Sequence, residues 1–402
     1  MENTTATYPH GKNYYIFLVA YLVGLSAFGS FVNDMYLPTL PEMTRYFQCP
    51  VSVIQLGLTM GMLGLGIGQL ILGPASDKYG RKPVLMTTMT IFIIGAVVSI
   101  FSPDIHFFLG CRFVQGIGAS GGYFLARTIP ADIFSGRQLA KTMALIGAIN
   151  GFAPASAPVL GGILAVADGW KGIFYVLAGF AALLICAGLP LKESLIPQNR
   201  FKGHLLEAFR EYPSLIKNKR FVIHALLKGT ALGLLFAYCS SAPFIMQDHF
   251  GWSELDFGLF MGFNAIFIAC GAMTALKFDI LKKAAFIGGW TLMLFTAVEM
   301  GVLFFIDDFW AYEFVLLPML FSLGMIFTVG NTLAMNEGRT NAGGASALVG
   351  LSGYIFGAIV APLVGIGNIM HSTAIVFGIM ASMTLALAYA TKRISPDPDM
   401  IK

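Results

Sequence analysis

The sequence predicts an all-α membrane protein with twelve spanning helices in two sets of six and both termini in the cytoplasm. Three observations predict it: the composition, the number of apolar stretches and the placement of Lys and Arg. Of the 402 residues, 56% are hydrophobic and only 11% are charged, whereas a soluble domain carries about 25% charged residues on its watered surface. Phe (35), Met (20) and Gly (46) suit lipid-embedded helices in close contact. This composition excludes a soluble enzyme, a disordered chain and a secreted disulfide scaffold. The net charge of +4 does not argue for a nucleic-acid partner, because its distribution along the chain matters more than its total.

The polar first residues lack the basic start of a signal peptide, so the apolar run that follows is expected to remain as the first span. A spanning helix needs roughly 20 mostly apolar residues. Twelve stretches qualify: 15–37, 52–72, 84–101, 105–127, 138–166, 172–190, 221–246, 256–276, 284–305, 311–333, 342–366 and 371–390. Short loops join the first six, and likewise the last six. Residues 191–220 between them are far more polar. The expected domains are therefore an N-terminal bundle (1–190), a cytoplasmic linker (191–220) and a C-terminal bundle (221–402).

Orientation follows from the basic residues. With the N-terminus in the cytoplasm, 21 of the 25 Lys and Arg fall on that side. Only Arg45 and Lys171 fall outside, and Arg112 and Lys228 lie within spans. Cytoplasmic loops carry this excess, and losing one span would invert every later loop.

Two sets of six helices are common among secondary transporters, with substrate held near mid-membrane between the halves. No P-loop is visible. The five cysteines form no CxxC pair and the six histidines are scattered, so neither a metal site nor a soluble cofactor is expected.

Three segments carry the chemistry. The loop after span 2 runs from Gly73 through Asp77, Gly80, Arg81 and Lys82 to Pro83. Gly80 permits a sharp turn, and Asp77 is placed to accept from a helix N-terminus or pair with arginine. In span 4, Arg112, Gln115, Gly116 and Gly118 sit at helical spacing. In span 5, Pro154 and Pro158 bend the helix while Gly161 and Gly162 admit a close neighbour. Asp34 in span 1 falls at about the depth of Arg112, and buried charge is costly unless paired or wetted, so the two are expected to pair. A carboxylate balanced between a cation and desolvation can load and release a proton.

The loop G-P-x-S-D-x-x-G-R-K-P resembles the loop 2–3 motif of the major facilitator superfamily. Span 4 resembles its R-x-x-Q-G-x-G motif. Ala157-Pro158-Val159-Leu160-Gly161-Gly162 resembles the antiporter motif, with Ala157 for its first glycine. The N-D-x-x-L-P of Asn33–Pro38 is similar to the Bcr/CflA branch of proton-driven multidrug exporters. The resemblance implies the superfamily fold, residence in a bacterial inner membrane and proton-coupled export of small amphipathic drugs or metabolites. It implies Asp34 and Arg112 as the coupling pair, and a loop that latches span 2 against span 11. A dedicated exporter of one natural product, such as a siderophore or amino-acid derivative, is the alternative, and an importer is less favoured. Ser26 stands where some relatives carry a second acid, which tilts the reading toward narrow, neutral-to-zwitterionic substrates.

By this resemblance Asn33, Tyr36, Phe236 and Tyr238 are candidate wall residues, with Asn150 as a polar candidate in span 5. Glu299 is expected to be structural, near a helix end, and Lys228 to snorkel to water. Asn264 and Asn331 are expected as interhelical hydrogen-bond donors, and Tyr354 as a further aromatic of the wall. The partners expected are a small molecule, protons and lipid, and the chain is expected to act as a monomer without nucleic acid.

Overall fold

A computed structural model describes residues 11–203, 212–339 and 342–394, apart from the side chains of Lys12, Asn150, Gly151, Asn199 and Ala342. Thirteen α-helices are assigned among them. They are α1 (Lys12–Asp34), α2 (Leu40–Phe47), α3 (Val51–Tyr79), α4 (Arg81–Ile100), α5 (Ile105–Ile133), α6 (Gly136–Gly188) and α7 (Tyr212–Lys217). The remainder are α8 (Lys219–Pro243), α9 (Glu254–Ala275), α10 (Leu281–Phe305), α11 (Phe309–Glu337), α12 (Ala342–Val364) and α13 (Ile369–Ile394). Each apolar stretch of the sequence coincides with a helix or with one limb of α6.

The ends follow local chemistry. Asp104 accepts from the Phe107 amide at 2.9 Å to open α5, Asn218 caps α8, and Ser253 with Asp256 forms a reciprocal capping box on α9. After Asp34 the chain passes through a 3-10 turn (Leu37–Thr39) into α2, because Pro38 and Pro41 cannot continue α1. α6 counts 53 residues, about 80 Å at helical rise. It breaks at Gly169, whose φ of 63° ends the first limb.

Among the described residues, ten helices are long and apolar enough to cross a membrane. Adding α5 and the second limb of α6 brings the count to as many as twelve. Their outer surface carries large apolar side chains such as Val166, Leu183 and Phe305, which suit lipid. Polar groups turn inward, where backbone and side chains must satisfy one another.

Early helices pack mainly with one another: α3 and α4 on α5, α1 on α6 and α5, and α4 on α6. Late helices do the same, with α8 on α11, α12 and α13, and α10 on α11 and α13. The two groups meet chiefly along α6 with α9 and α3 with α12. Small residues set the closest crossings. Gly64 of α3 lies against the Phe113 carbonyl and Gly116 of α5, and Gly116 against the Gly61 carbonyl. A Cβ at Gly161 would strike the Met35 carbonyl, and one at Gly162 the Glu254 carbonyl. The second glycine of the pair thus brings α6 onto α9.

Candidate functional site

Between the early and late helices lies a cavity of about 770 Å³, within the usual range for small-molecule sites. α1 contributes Gly29, Ser30, Asn33 and Asp34, α3 Gln69, α5 Tyr123 and Arg127, and α6 Pro154 and Pro158. From the late helices come Lys228, Phe236, Tyr238, Met261, Asn331 and Tyr354. Asp34 is the one carboxylate of this wall among the described residues, and Arg127 and Lys228 are its cations. Lys228 Nζ donates to Asn331 Oδ1 at 2.9 Å. Arg127 donates to the Tyr123 hydroxyl at 2.8 Å and stacks over its ring.

The expected ion pair between Asp34 and Arg112 is absent. Asp34 has no cation within 4.0 Å among the described residues. Arg112 is fully buried and is held behind the wall. It donates to Gln115 Oε1 at 2.6 Å, the Val32 carbonyl at 3.2 Å and the Gly57 carbonyl at 3.5 Å. Its guanidinium also stacks 4.3 Å from the Tyr36 ring centroid. Gln115 in turn donates to the Gly95 carbonyl and Ser99 Oγ. Backbone carbonyls and an aromatic face thus solvate this cation without a carboxylate.

Other expectations divide. Asn33, Phe236, Tyr238 and Tyr354 lie in the wall. Tyr36 does not: the turn after α1 folds it inward, fully buried among Arg112 and Phe174. The side chain of Asn150 lies outside the described residues. Lys228 faces the cavity and is bonded to Asn331. Asn264 donates to the Tyr238 hydroxyl at 2.9 Å.

Among the described residues no hydrogen bond or ion pair joins loop 73–83 to α12, the span 11 of the expected latch. Gly80, at φ 103°, hands α3 over to α4, and the backbone amides of Arg81 and Lys82 donate to Glu193 at 2.9 and 3.2 Å. The Arg81 guanidinium binds Asp77 at 2.5 Å and Asp132 at 2.9 Å. Asp77 is therefore taken by an arginine one turn away, and the loop ties α3, α4, α5 and residues after α6 together. Gly73 lies near the Phe124 ring, and Lys82 Nζ donates to the Leu189 carbonyl at 2.6 Å.

The cavity reaches toward the face bearing this loop, through Arg127, Met143, Lys228, Thr332 and Ser346. At the opposite face, bonds join early and late helices. Gln55 Nε2 donates to the Ser240 carbonyl at 3.0 Å, Thr59 Oγ1 to Ala358 O at 2.8 Å, and Gln247 Nε2 to Pro38 O at 2.8 Å. Arg45 pairs with Asp248 at 3.1 Å.

Two features escaped the sequence reading. Arg127 counts as a loop residue when span 4 ends at 127, yet α5 continues through Pro130 to Ile133. Its signal was the Tyr123–Arg127 pair at i, i+4. Glu313 passes for an interfacial residue beside Asp307 and Asp308. It is instead buried beside the Asn264 amide, and Glu299 is buried with neither oxygen hydrogen-bonded.

An apolar shell of membrane-length helices around a chamber that holds Asp34, Arg127 and Lys228, sealed on one face, defines a multi-pass membrane transporter and not an enzyme. The chain belongs to the Major Facilitator Superfamily, whose family model matches residues 22–362. It is 35% identical over 377 residues to the uncharacterized MFS-type transporter YdgK of Bacillus subtilis (strain 168), covering 92% of this chain and 93% of that one. It is 28% identical over 404 residues to the bicyclomycin resistance protein homolog of Haemophilus influenzae, covering 94% and 96%. The partially occluded, inward-open xylose transporter XylE of Escherichia coli shares the fold with a TM-score of 0.73 at 17% identity, covering 97% and 99%. The protein is a multi-pass transporter of the bacterial inner membrane that works by alternating access.

Proposed function

We propose that this transporter is a proton-coupled antiporter of the Bcr/CflA type that exports small amphipathic drugs or metabolites. In this reading residues 1–190 and 221–402 are two six-helix halves joined by the cytoplasmic linker 191–220, with both termini in the cytoplasm. The packing of early helices with early and late with late supports it, as does the excess of Lys and Arg on one side. The bicyclomycin resistance named for the Haemophilus relative supports a drug-like cargo.

One observation carries the coupling: Asp34 is a carboxylate in the wall of the central chamber with no ion-pair partner among the described residues. Ionised, it attracts the cationic or hydrogen-donating part of a substrate entering from the cytoplasm. A proton arriving from outside neutralises it and removes that attraction, so proton and substrate exclude one another at one group. Arg112 acts indirectly, holding Val32 two residues before Asp34 and thereby fixing the end of α1. Gln115 and Gly116 keep that arginine and α3 in place, while Pro154, Pro158, Gly161 and Gly162 shape the α6 surface on which the halves move.

The two cations of the wall favour a narrower second reading, export of one zwitterionic natural product such as an amino-acid derivative. A carboxylate would sit by Arg127 and Lys228 while its amine competes with the proton at Asp34. Apolar walls from Phe236, Leu235 and Ile146 suit the body of such a molecule, and cations alone are disfavoured.

Everted membrane vesicles test the reading. With an acid interior they are expected to accumulate members of a panel of bicyclomycin, chloramphenicol and aromatic amino acids. Asp34→Asn is expected to reduce accumulation to that of vesicles lacking the protein. Undiminished gradient-driven uptake in that variant removes Asp34 from the mechanism, and no uptake of any panel member by the wild type refutes the antiporter.

A further inference from the structure

A second group of polar residues lies away from the loop 73–83 face, inside the late helices. Glu299 of α10 is fully buried and Glu313 of α11 is 3% exposed. Neither oxygen of Glu299 has a hydrogen-bond partner, Glu313 has beside it only the Asn264 amide, and neither residue has a Lys, Arg or His within 4.0 Å among the described residues. Beside them stands the fully buried Tyr312, whose hydroxyl is also unpartnered and lies within electrostatic reach of both carboxyls and of Tyr238. Thr296, one turn before Glu299 on the same face, and Asn264 Oδ1 are buried and unpartnered too.

An ionised carboxylate buried without a cation costs several kcal/mol, and two neighbouring ones repel in addition. The inexpensive state of this cluster is neutral. A protonated carboxyl is both donor and acceptor, and the unpartnered Asn264 Oδ1, Tyr312 hydroxyl and Thr296 hydroxyl provide acceptors. The late helices packed around the pair bring no compensating cation. Tyr238 and Cys239 of α8, Asn264 of α9 and Tyr312 of α11 are the polar or titratable neighbours. His371 of α13 is stacked on Phe304 at an exposed position, and the basic residues of α10 and α13 lie at the far ends of those helices.

We propose that Glu299 and Glu313 form a second proton-binding site, separate from Asp34. Its connection to the chamber is short. The Asn264 amide neighbours Glu313 and donates to the Tyr238 hydroxyl at 2.9 Å, and Tyr238 lines the cavity that holds Asp34. Carboxyls thus stand in both groups of helices, Asp34 on α1 among the early ones and the glutamate pair on α10 and α11 among the late ones. Proton occupancy of the pair stands on its own; its use in the transport cycle rests on the antiporter reading above.

Two measurements on the full-length protein in lipid separate these claims, and neither needs a transported substrate. Infrared spectroscopy at neutral pH is expected to show the carbonyl stretch of protonated carboxylic acid, shifting on exchange into D₂O. Part of it is expected to vanish in Glu299→Gln and part in Glu313→Gln. Wild-type and variant spectra that coincide in this region overturn the site. The second measurement is the distance between spin labels on the loop 73–83 end of α3 and the facing end of α12, followed across pH. The wild type is expected to change in two steps, with Asp34→Asn abolishing one and Glu313→Gln the other. A profile unchanged by Glu313→Gln shows neutral but idle glutamates and overturns the role in coupling. Failure of vesicle uptake together with an intact infrared result would reject the antiporter and leave the site.

Discussion

Arg112 shows how one side chain can be read correctly for depth and wrongly for partner. Residues at matching depth in spans 1 and 4 are visible in the sequence, and so is the cost of leaving an arginine there. Which way each faces is not, because that depends on how α1 rotates against α5 and on the 3-10 turn that follows it. That turn presents the Tyr36 ring to the guanidinium and leaves Asp34 to the cavity. Arg112→Lys is therefore expected to destabilise the protein by roughly 2–3 kcal/mol, because an ammonium cannot reproduce forked bonds to Gln115, Val32 and Gly57. The drop in the thermal unfolding midpoint checks this. Combining it with Asp34→Asn should give a coupling energy below about 1 kcal/mol, since the two side chains form no ion pair. A coupling of several kcal/mol would reinstate the pair.

At the scale of elements, most of the helices are legible because lipid demands apolar stretches of fixed length, and the structure fills each stretch with helix. What sequence could not supply is where a helix extends past its apolar run, as α5 does through Pro130 to Ile133, because that extra turn depends on tertiary support. The break of α6 at Gly169 falls, by contrast, between the two apolar stretches that end at 166 and begin at 172. The glycines of α6 and α9 were readable as small, and the structure adds what they touch. A Cβ on Gly258 of α9 would run into the Pro158 carbonyl, whereas one on Gly179 of α6 meets nothing within 4 Å. Gly258→Ala is expected to cost about 1–3 kcal/mol through forced separation of α6 and α9. Gly179→Ala is expected to stabilise by about 0.5–1 kcal/mol, because alanine loses less backbone entropy in a helix. Paired unfolding midpoints in one detergent distinguish contact from propensity, and equal effects would mean that the α6–α9 crossing is loose.

For the whole molecule, alternating access requires that the seal opposite loop 73–83 break when the chamber turns over. The sequence carries the loop motif but nothing of this seal, since its members lie far apart along the chain and, apart from the exposed Arg45–Asp248 pair, use backbone carbonyls as acceptors. Thr59 of α3 donates to Ala358 of α12, Gln55 to Ser240 of α8, and Gln247 to Pro38. Each is an ordinary neutral hydrogen bond worth about 1 kcal/mol, so the seal is a sum of weak bonds that a protonation event can tip. Arg81, by contrast, binds Asp77 and Asp132 within the early helices, and among the described residues the loop makes no polar bond to α12 while this seal is closed. Tying the seal shut should then arrest transport without altering the site. In a background with the five native cysteines replaced, Thr59→Cys with Ala358→Cys should be joined by a short bifunctional thiol reagent. Gradient-driven uptake in everted vesicles should fall to background on cross-linking and return on reduction, while either single cysteine remains unaffected. Uptake that persists in the cross-linked protein would mean that α3 and α12 do not part at this face, and the seal would then be a fixed hinge rather than a gate.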